Sequence, residues 1–323
     1  MRRVILGAAA AGLLLAPMAT AVAQAPYPSK PVRVLVGYPP GGGTDILARA
    51  VSVKLSEAWA QPVVVENRPG ASTLIASEML AKAPPDGYTL MNVSAVHAIN
   101  ASTFKKLPYD PIKDFQPIAF IAMVPNVLLV HPSLPVKTVK DLTALAKAKP
   151  GQLDYGSTGA SSPYQIAAEM YKMMTGTNII HVPYKGAAPA LTALLSGEVT
   201  VMFGNVVSSM PFVKSGRTRA IAVTTEKRSG ALPEVPTIAE SGLKGYVFAS
   251  WFGLMGPAGM PQPVITKIHT DAMAALKAPE LNARLTAEGA ELQPMTPAQF
   301  TEHVRVEIER IGKVVKAGNI TAE

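Results

Sequence analysis

The chain contains no cysteine, which excludes disulfides, zinc–thiolate sites and cysteine nucleophiles together. Aromatic residues are scarce, at 6%, and no stretch interleaves them with basic residues, so a nucleic-acid surface is not indicated. The formal net charge is +8, yet Lys and Arg stand singly and form no basic block. A diffuse field of that kind serves solubility and weak attraction of anions. Beyond the first residues no apolar run is long enough to cross a membrane. His97, His131, His181, His269 and His303 lack metal-ligand spacing, and neither a metal nor a cofactor is expected.

What is present begins with an export signal. Arg2 and Arg3 precede an apolar run from Val4 to Leu15, and Ala21-Val22-Ala23 supplies the small residues of a cleavage site. This is a secretory signal peptide rather than an anchor, because the run is shorter than the ~20 residues a span needs. Cleavage is expected after Ala23, which leaves 300 residues with a charge of +6, outside the cytoplasm. That length exceeds what one hydrophobic core usually serves and points to two lobes.

Short β-rich runs alternate with helical patterns from Pro31 to about Thr225, the signature of parallel sheets built from βαβ units. The first unit holds strands Val32 to Val36, Val63 to Val65 and Tyr88 to Asn92. Its helices are one from about Asp45 to Trp59, with Leu47, Val51 and Leu55 on one stripe, and one with Ile75 and Met79 four apart. A second series, read as a separate sheet, starts at Asn126 with strand Val127 to Val130 and helix Thr138 to Lys147. It continues through strands Leu153 to Gly156, Ile179 to Val182, Val199 to Phe203 and Ala220 to Thr224. Its helices start at Ser162-Pro163, with Ile166, Met170 and Met174 facing inward, and near Ala187 and Val206. The last third is helical and ends in a helix opened by the capping box Thr296 to Gln299, with Phe300, Val304, Ile308, Ile311 and Val315 on its buried face and Gly318 as its C-cap. If this tail packs on the first lobe, the chain crosses between lobes twice, near 119–125 and 245–256, and two crossings make a hinge with a cleft.

Ligands of open parallel sheets bind beyond the C-terminal strand ends, where loops enter helices. Three such loops stand out. Tyr38-Pro39-Pro40-Gly41-Gly42-Gly43-Thr44-Asp45 follows the first strand. Its glycines let backbone amides approach a guest, and the helix start adds about half a positive charge, so a carboxylate suits it. A dinucleotide fingerprint would need glycine where Ile46 stands, and a P-loop would need Gly-Lys-Ser/Thr. A plain tight turn is the simpler alternative, and Asp45 reads better as a cap of its own helix than as an anion contact. The second loop, Gly156-Ser157-Thr158-Gly159-Ala160-Ser161-Ser162, offers four hydroxyls and free amides. It is not a nucleophile elbow, since residue 155 is tyrosine, and Ser162 serves equally as an N-cap or as a contact. In the third, Val182-Pro183-Tyr184-Lys185-Gly186, Lys185 either neutralises a second carboxylate or is solvated at the rim. Ser94, His97 and Asn205 fall on the same edge. No Ser, His and acid trio assembles, so no catalytic residue is assigned.

Motifs in these loops and between them resemble one family along nearly the whole mature chain. They are PPGGGTD at 39–45, ENRPGA at 66–71, PPDGYTL at 84–90, LPYDPIKDFQPIA at 107–119, KPGQLDYGSTG at 149–159, HVPYKG at 181–186 and LPEVPTIAESGLKGY at 232–246. On these the sequence resembles the Bug-type substrate-binding proteins of tripartite tricarboxylate transporters. The resemblance implies an α/β, bilobal, type II periplasmic-binding-protein fold, two parallel-sheet lobes joined by a two-strand hinge. It implies lobe 1 from 24–122 and 248–323 and lobe 2 from 123–247, a periplasmic location, and a small carboxylate passed to a membrane permease of a large and a small subunit. A monomer is expected.

Within the family one carboxylate is gripped by two opposed loops, which correspond here to Gly42, Gly43 and Thr44 with Ser157, Gly159 and Ser161. Where relatives carry an acidic residue this chain has Gly204-Asn205, which disfavours an amino-acid guest whose ammonium would want that acid. A di- or tricarboxylate or an aromatic acid remains. The alternatives are a receptor that presents the same acid to a sensor kinase and, further off, a hydrolase.

Overall fold

The computed structural model describes residues 27–322, so the export segment and its cleavage point lie outside the described residues. The chain runs β1 (Val32–Val36), α1 (Gly43–Trp59), β2 (Val63–Asn67), α2 (Leu74–Ala81), β3 (Thr89–Ser94), α3 (Val96–Thr103) and β4 (Phe115–Val130). It continues through α4 (Val139–Ala148), β5 (Asp154–Ser157), α5 (Pro163–Thr175), β6 (Ile180–Pro183), α6 (Ala187–Ser196), β7 (Val201–Asn205), α7 (Val206–Lys214) and β8 (Arg219–Val223). β9 (Ala249–Pro257), α8 (Gln262–Lys277), α9 (Pro279–Ala287) and α10 (Pro297–Ala317) complete it.

The strands follow one path, β2-β1-β3-β9-β4-β7-β5-β6, with β8 on the free side of β4. β1 is parallel to β2 and β3, and β5 is parallel to β6 and β7. The expected all-parallel lobes are therefore mixed sheets, because β9 runs antiparallel to β3 and β4 runs antiparallel to β9, β7 and β8.

The two sheet regions share β4. Phe115 to Pro125 pair with β9, and from Asn126 to Val130 the same strand pairs with β7 and β8 instead. At 119–125, where the sequence suggests a crossing between lobes, β4 runs through as one strand, with register shifts at Pro117/Ala119 and Phe120/Ala122. The partner exchange is fastened by Asn126, which is fully buried. Its Nδ2 donates to Phe203 O at 2.9 Å, its Oδ1 accepts from Ser250 Oγ at 2.9 Å, and its backbone N donates to Thr224 Oγ1 at 3.0 Å.

Helix placement follows apolar spacing. Leu47, Val51 and Leu55 seat α1 on the first sheet, fully or almost fully buried. α4 and α10 open with complete capping boxes, Thr138/Asp141 and Thr296/Gln299. The helical tail packs on the first region: Phe300 of α10 meets Phe120 and Trp251 edge-on, with centroids 5.3 and 5.7 Å away. One inward reading is corrected: Met174 is 42% exposed, because α5 buries Ala167 and Tyr171 in its place. On α2, Ala76, Ser77 and Leu80 are buried and Ile75 is 47% exposed. α3 has no counterpart in the sequence reading, since six of its eight residues are buried and it shows no polar stripe.

Candidate ligand-binding site

The loops at the C-terminal ends of β1 and β2 meet those following β5, β6 and β7 across the groove between the two regions. Ser72 Oγ donates to Ala160 O across it at 2.8 Å. The ring of Pro39 lies close enough to Gly186 that a Cβ there would sit 3.1 Å from it. The two regions thus touch across the groove.

Two cavities lie along this seam. The inner one leaves about 30 Å³ for the centre of a water-sized sphere. Tyr38, Gly42, Gly43, Thr44 and Ser94 line it from one side, and Thr158, Pro163, Tyr164, Ala187 and Asn205 from the other, with Ser250 and Phe252 of β9 at its base. None of these residues carries a charge. The outer cavity is larger, about 460 Å³. Tyr38, Thr158, Gly159, Tyr184 and Lys185 reach it together with residues 69–73.

The inner wall derives its electrostatics from helix ends. α1 begins at Gly43, α6 at Ala187 and α7 behind Asn205, and none of the three has a side-chain cap. Away from the seam, α4 and α10 are fully capped. Uncapped first-turn amides and the partial positive charge of each helix start point an anion-binding field into a space without countercharge. Asn205 adds a fixed amide: it is 2% exposed, and neither Oδ1 nor Nδ2 has a hydrogen-bond partner. A buried amide so placed asks for a polar guest. Ser94, also lining the cavity, sets its hydroxyl beside the Tyr38 phenol.

The remaining sequence candidates are placed differently. Asp45 lines neither cavity; its carboxylate accepts from Gly41 N at 3.1 Å, from Asn67 Nδ2 at 2.9 Å and from Arg49 Nε at 3.0 Å. Burial pushes this carboxyl up, but Arg49, Asn67 and the Gly41 amide outweigh it and hold the group below the usual range. These bonds tie the glycine loop to α1 and Asn67.

Ser157 is fully buried, and its hydroxyl braces its own loop, accepting from Gly159 N at 3.1 Å while lying 2.6 Å from His181 Nε2. Burial keeps His181 below the ordinary histidine value, with Lys172 acting in the same direction and Glu169 against it, so the imidazole is the neutral partner of that hydroxyl. Ser162 caps α5, accepting from Gln165 N at 3.3 Å. Ser161 has a left-handed backbone, φ 59°, and a buried hydroxyl without a partner.

His97 stands behind the site. Its Nε2 pairs with Pro111 O at 2.8 Å, its ring packs on Tyr109 and Phe115, and burial pushes it below the ordinary histidine value, the Pro111 carbonyl opposing. Tyr184 donates to Glu198 Oε1 at 2.8 Å, and Lys185 is exposed at the outer rim.

Sequence reasoning passed over Ala187, Ser250 and Phe252, which line the inner cavity, and the segment 70–73. Three successive residues there, Ala71, Ser72 and Thr73, have left-handed backbones at φ 43°, 50° and 71°. No glycine announces such a run, although its place after β2 on the binding edge could have drawn attention to it.

The family model described as "Tripartite tricarboxylate transporter family receptor" matches residues 47–320. Protein BugT of Bordetella pertussis is 34% identical over 301 residues, 93% of this chain and 92% of its own length. Among solved structures, an R. palustris protein with adipate is 40% identical with a TM-score of 0.89, covering 91% of this chain and 99% of that one. MatC from Rhodopseudomonas palustris with bound malate is 31% identical with a TM-score of 0.85, covering 90% and 100%. The fold is that of these bilobal periplasmic binding proteins, and the chain belongs to the tripartite tricarboxylate transporter receptor family.

Proposed function

We infer that the protein is a periplasmic solute receptor that closes its two lobes on a small carboxylate, a di- or tricarboxylate or an aromatic acid, and delivers it to a tripartite permease of large and small subunits. The observation that carries this is the uncharged inner cavity, onto which the uncapped helices α1, α6 and α7 converge beside the unpartnered amide of Asn205. Such a site favours an anion through fixed dipoles and hydrogen bonds. The adipate and malate held by the two related structures support a carboxylate as that anion.

Lobe 1 comprises 24–122 and 248–323, and lobe 2 comprises 123–247; the partner exchange at Asn126 falls beside both boundaries. The chain acts as a monomer and performs no chemistry on its guest. A thermal-shift screen of organic acids on the mature protein, followed by calorimetry, tests the reading. A stabilising, saturable carboxylate is the expected result; a preference for cationic or neutral solutes over every acid would overturn it.

A further inference from the structure

Asn205 forgoes a bond that its position offers. It precedes α7, and asparagine is among the best N-cap residues because its side-chain oxygen accepts from the first-turn amides. The Asn205 side chain makes no such bond. It turns instead across the groove to the start of α1, where a Cβ on Gly43 would lie 2.7 Å from Oδ1. Both Oδ1 and Nδ2 are buried there without a partner. The backbone behind them is fixed, since Asn205 pairs with Asn126 in the sheet and its carbonyl accepts from Ser208 Oγ at 3.2 Å.

Neighbouring hydroxyls are engaged elsewhere. Ser250 Oγ donates to Asn126 Oδ1 at 2.9 Å, the Tyr164 phenol lies 3.4 Å from Ser208 Oγ, and the Tyr38 phenol stands with Thr158 and Ser94. Whichever way the amide is turned, it presents one donor end and one acceptor end, and a carboxylate, which only accepts, can meet the first and not the second. A buried acceptor left without a donor is costly, so the guest that suits this wall best brings a donor of its own. That donor is neutral, because an ammonium would meet the positive ends of α1, α6 and α7 and no negative side chain in the lining. It is also close to the head group, because Asn205 lies against the same helix start that would hold the carboxylate. The inner cavity leaves about 30 Å³ for the centre of a water-sized sphere, against the ~10–15 Å³ that one such occupant needs, which suffices for a carboxylate and one small group beside it.

We propose that Asn205 selects, among carboxylates, those bearing a hydroxyl on the carbon next to the head group, that is, 2-hydroxy acids. The inference rests on the carboxylate reading above and names the class within it.

The test is calorimetry of the mature protein with three matched acids, butanedioate, 2-hydroxybutanedioate and 2-fluorobutanedioate, and with the corresponding hexanedioates. Fluorine is close to a hydroxyl in size and donates nothing. The hydroxy acid, in one of its two mirror forms, should bind about 5- to 150-fold more tightly than both matched acids, the scale of supplying a donor to one buried acceptor. Asn205→Leu should reduce that preference to about threefold or less, chiefly by weakening the hydroxy acid, and Asn205→Ala should act in the same direction.

A wild type that binds the hydroxy acid no better than its matched acids, or that binds other acids but neither hydroxy acid, would overturn the selection while leaving carboxylate binding intact. A preference undiminished in the variants would overturn the assignment to Asn205. Absence of binding by any acid to the wild type would instead refute the carboxylate reading, and the selection with it. Thermal melts identify a variant that fails to fold; the other variant then decides, and the wild-type series needs neither.

Discussion

Gly43→Ala offers the sharpest separation of binding from folding. Gly43 opens α1 and has no left-handed backbone, so alanine is locally tolerated and should gain up to ~1 kcal/mol in helix propensity. Across the seam the added Cβ would lie 2.7 Å from Asn205 Oδ1, 3.1 Å from its Cγ and 3.5 Å from Phe252 Cζ. The first distance is inside any ordinary contact, so the Asn205 amide, which no hydrogen bond holds, must shift within the cavity it lines. Overpacking of this kind costs about 1–3 kcal/mol, and it falls only on the closed form, since the clash is between lobes. A penalty confined to one state shifts the open–closed balance by its full value, so affinity should fall by about 5- to 150-fold. Calorimetry with the best acid from a screen reads the loss, and a melt of the ligand-free protein should show an unchanged or slightly raised midpoint. Wild-type affinity in Gly43→Ala would refute the placement of these loops face to face, and a lowered melting midpoint would refute the claim that the clash is absent from the open form.

Other perturbations probe the supports of the same seam. Ser72→Ala removes the hydrogen bond from Ser72 Oγ to Ala160 O, and at about 0.5–1.5 kcal/mol for such a bond affinity should fall roughly 2- to 12-fold, with the loss expressed as faster release in stopped-flow measurements. Asp45→Asn tests the clamp behind the glycine loop. Because the folded-state carboxyl is held below its unfolded value by Arg49, Asn67 and Gly41 against the effect of burial, its stabilisation is present above the unfolded value of about 3.9. It is lost as pH falls through the folded value. Melts should therefore place the wild type above Asp45→Asn near neutrality, with the gap closing in acid; a gap independent of pH would count against the ionised clamp.

Much of the fold was legible because its cues are local. Apolar spacing placed α1 and α10 and their buried faces, and the cap residues at Ser162 and Thr296 marked helix starts that the structure shows. The departures arise where tertiary packing overrides local pattern. β4 runs unbroken through Pro117, beside which its register shifts, and α3, all but enclosed, offers no amphipathic period. Ile75 lies outside because α2 is apolar on more than one face, so that spacing alone does not say which face turns inward. In the site, strand-to-helix loops could be read from order along the chain. The bracing of Ser157 by His181 joins residues 24 positions apart, and the left-handed turn at 71–73 is imposed by contacts such as Asn100 Nδ2 donating to Ser72 O at 2.7 Å. Neither leaves a trace in adjacent residues.

The hinge and the cleft use buried polar groups in opposite ways, and the contrast explains why closure should depend on a guest. At the hinge every polar atom of the Asn126 side chain is partnered, by Phe203 O and Ser250 Oγ, so that point holds its geometry whichever way the lobes stand. At the seam, Asn205 Oδ1 and Nδ2 are buried without partners. Each such atom costs about 1–3 kcal/mol relative to its hydrated state, and in an open cleft water would satisfy both. Closure therefore carries a penalty of several kcal/mol that a polar guest offsets by bonding to the same atoms. Asn205→Leu, similar in volume but without those atoms, should lower this penalty and the guest's contribution together. The variant should populate the closed form more in the absence of acid, measurable as a smaller radius of gyration in solution scattering, yet bind the acid more weakly than the wild type. A variant that stays as open as the wild type, or that binds the acid as tightly, would show that the unpartnered amide does not govern closure.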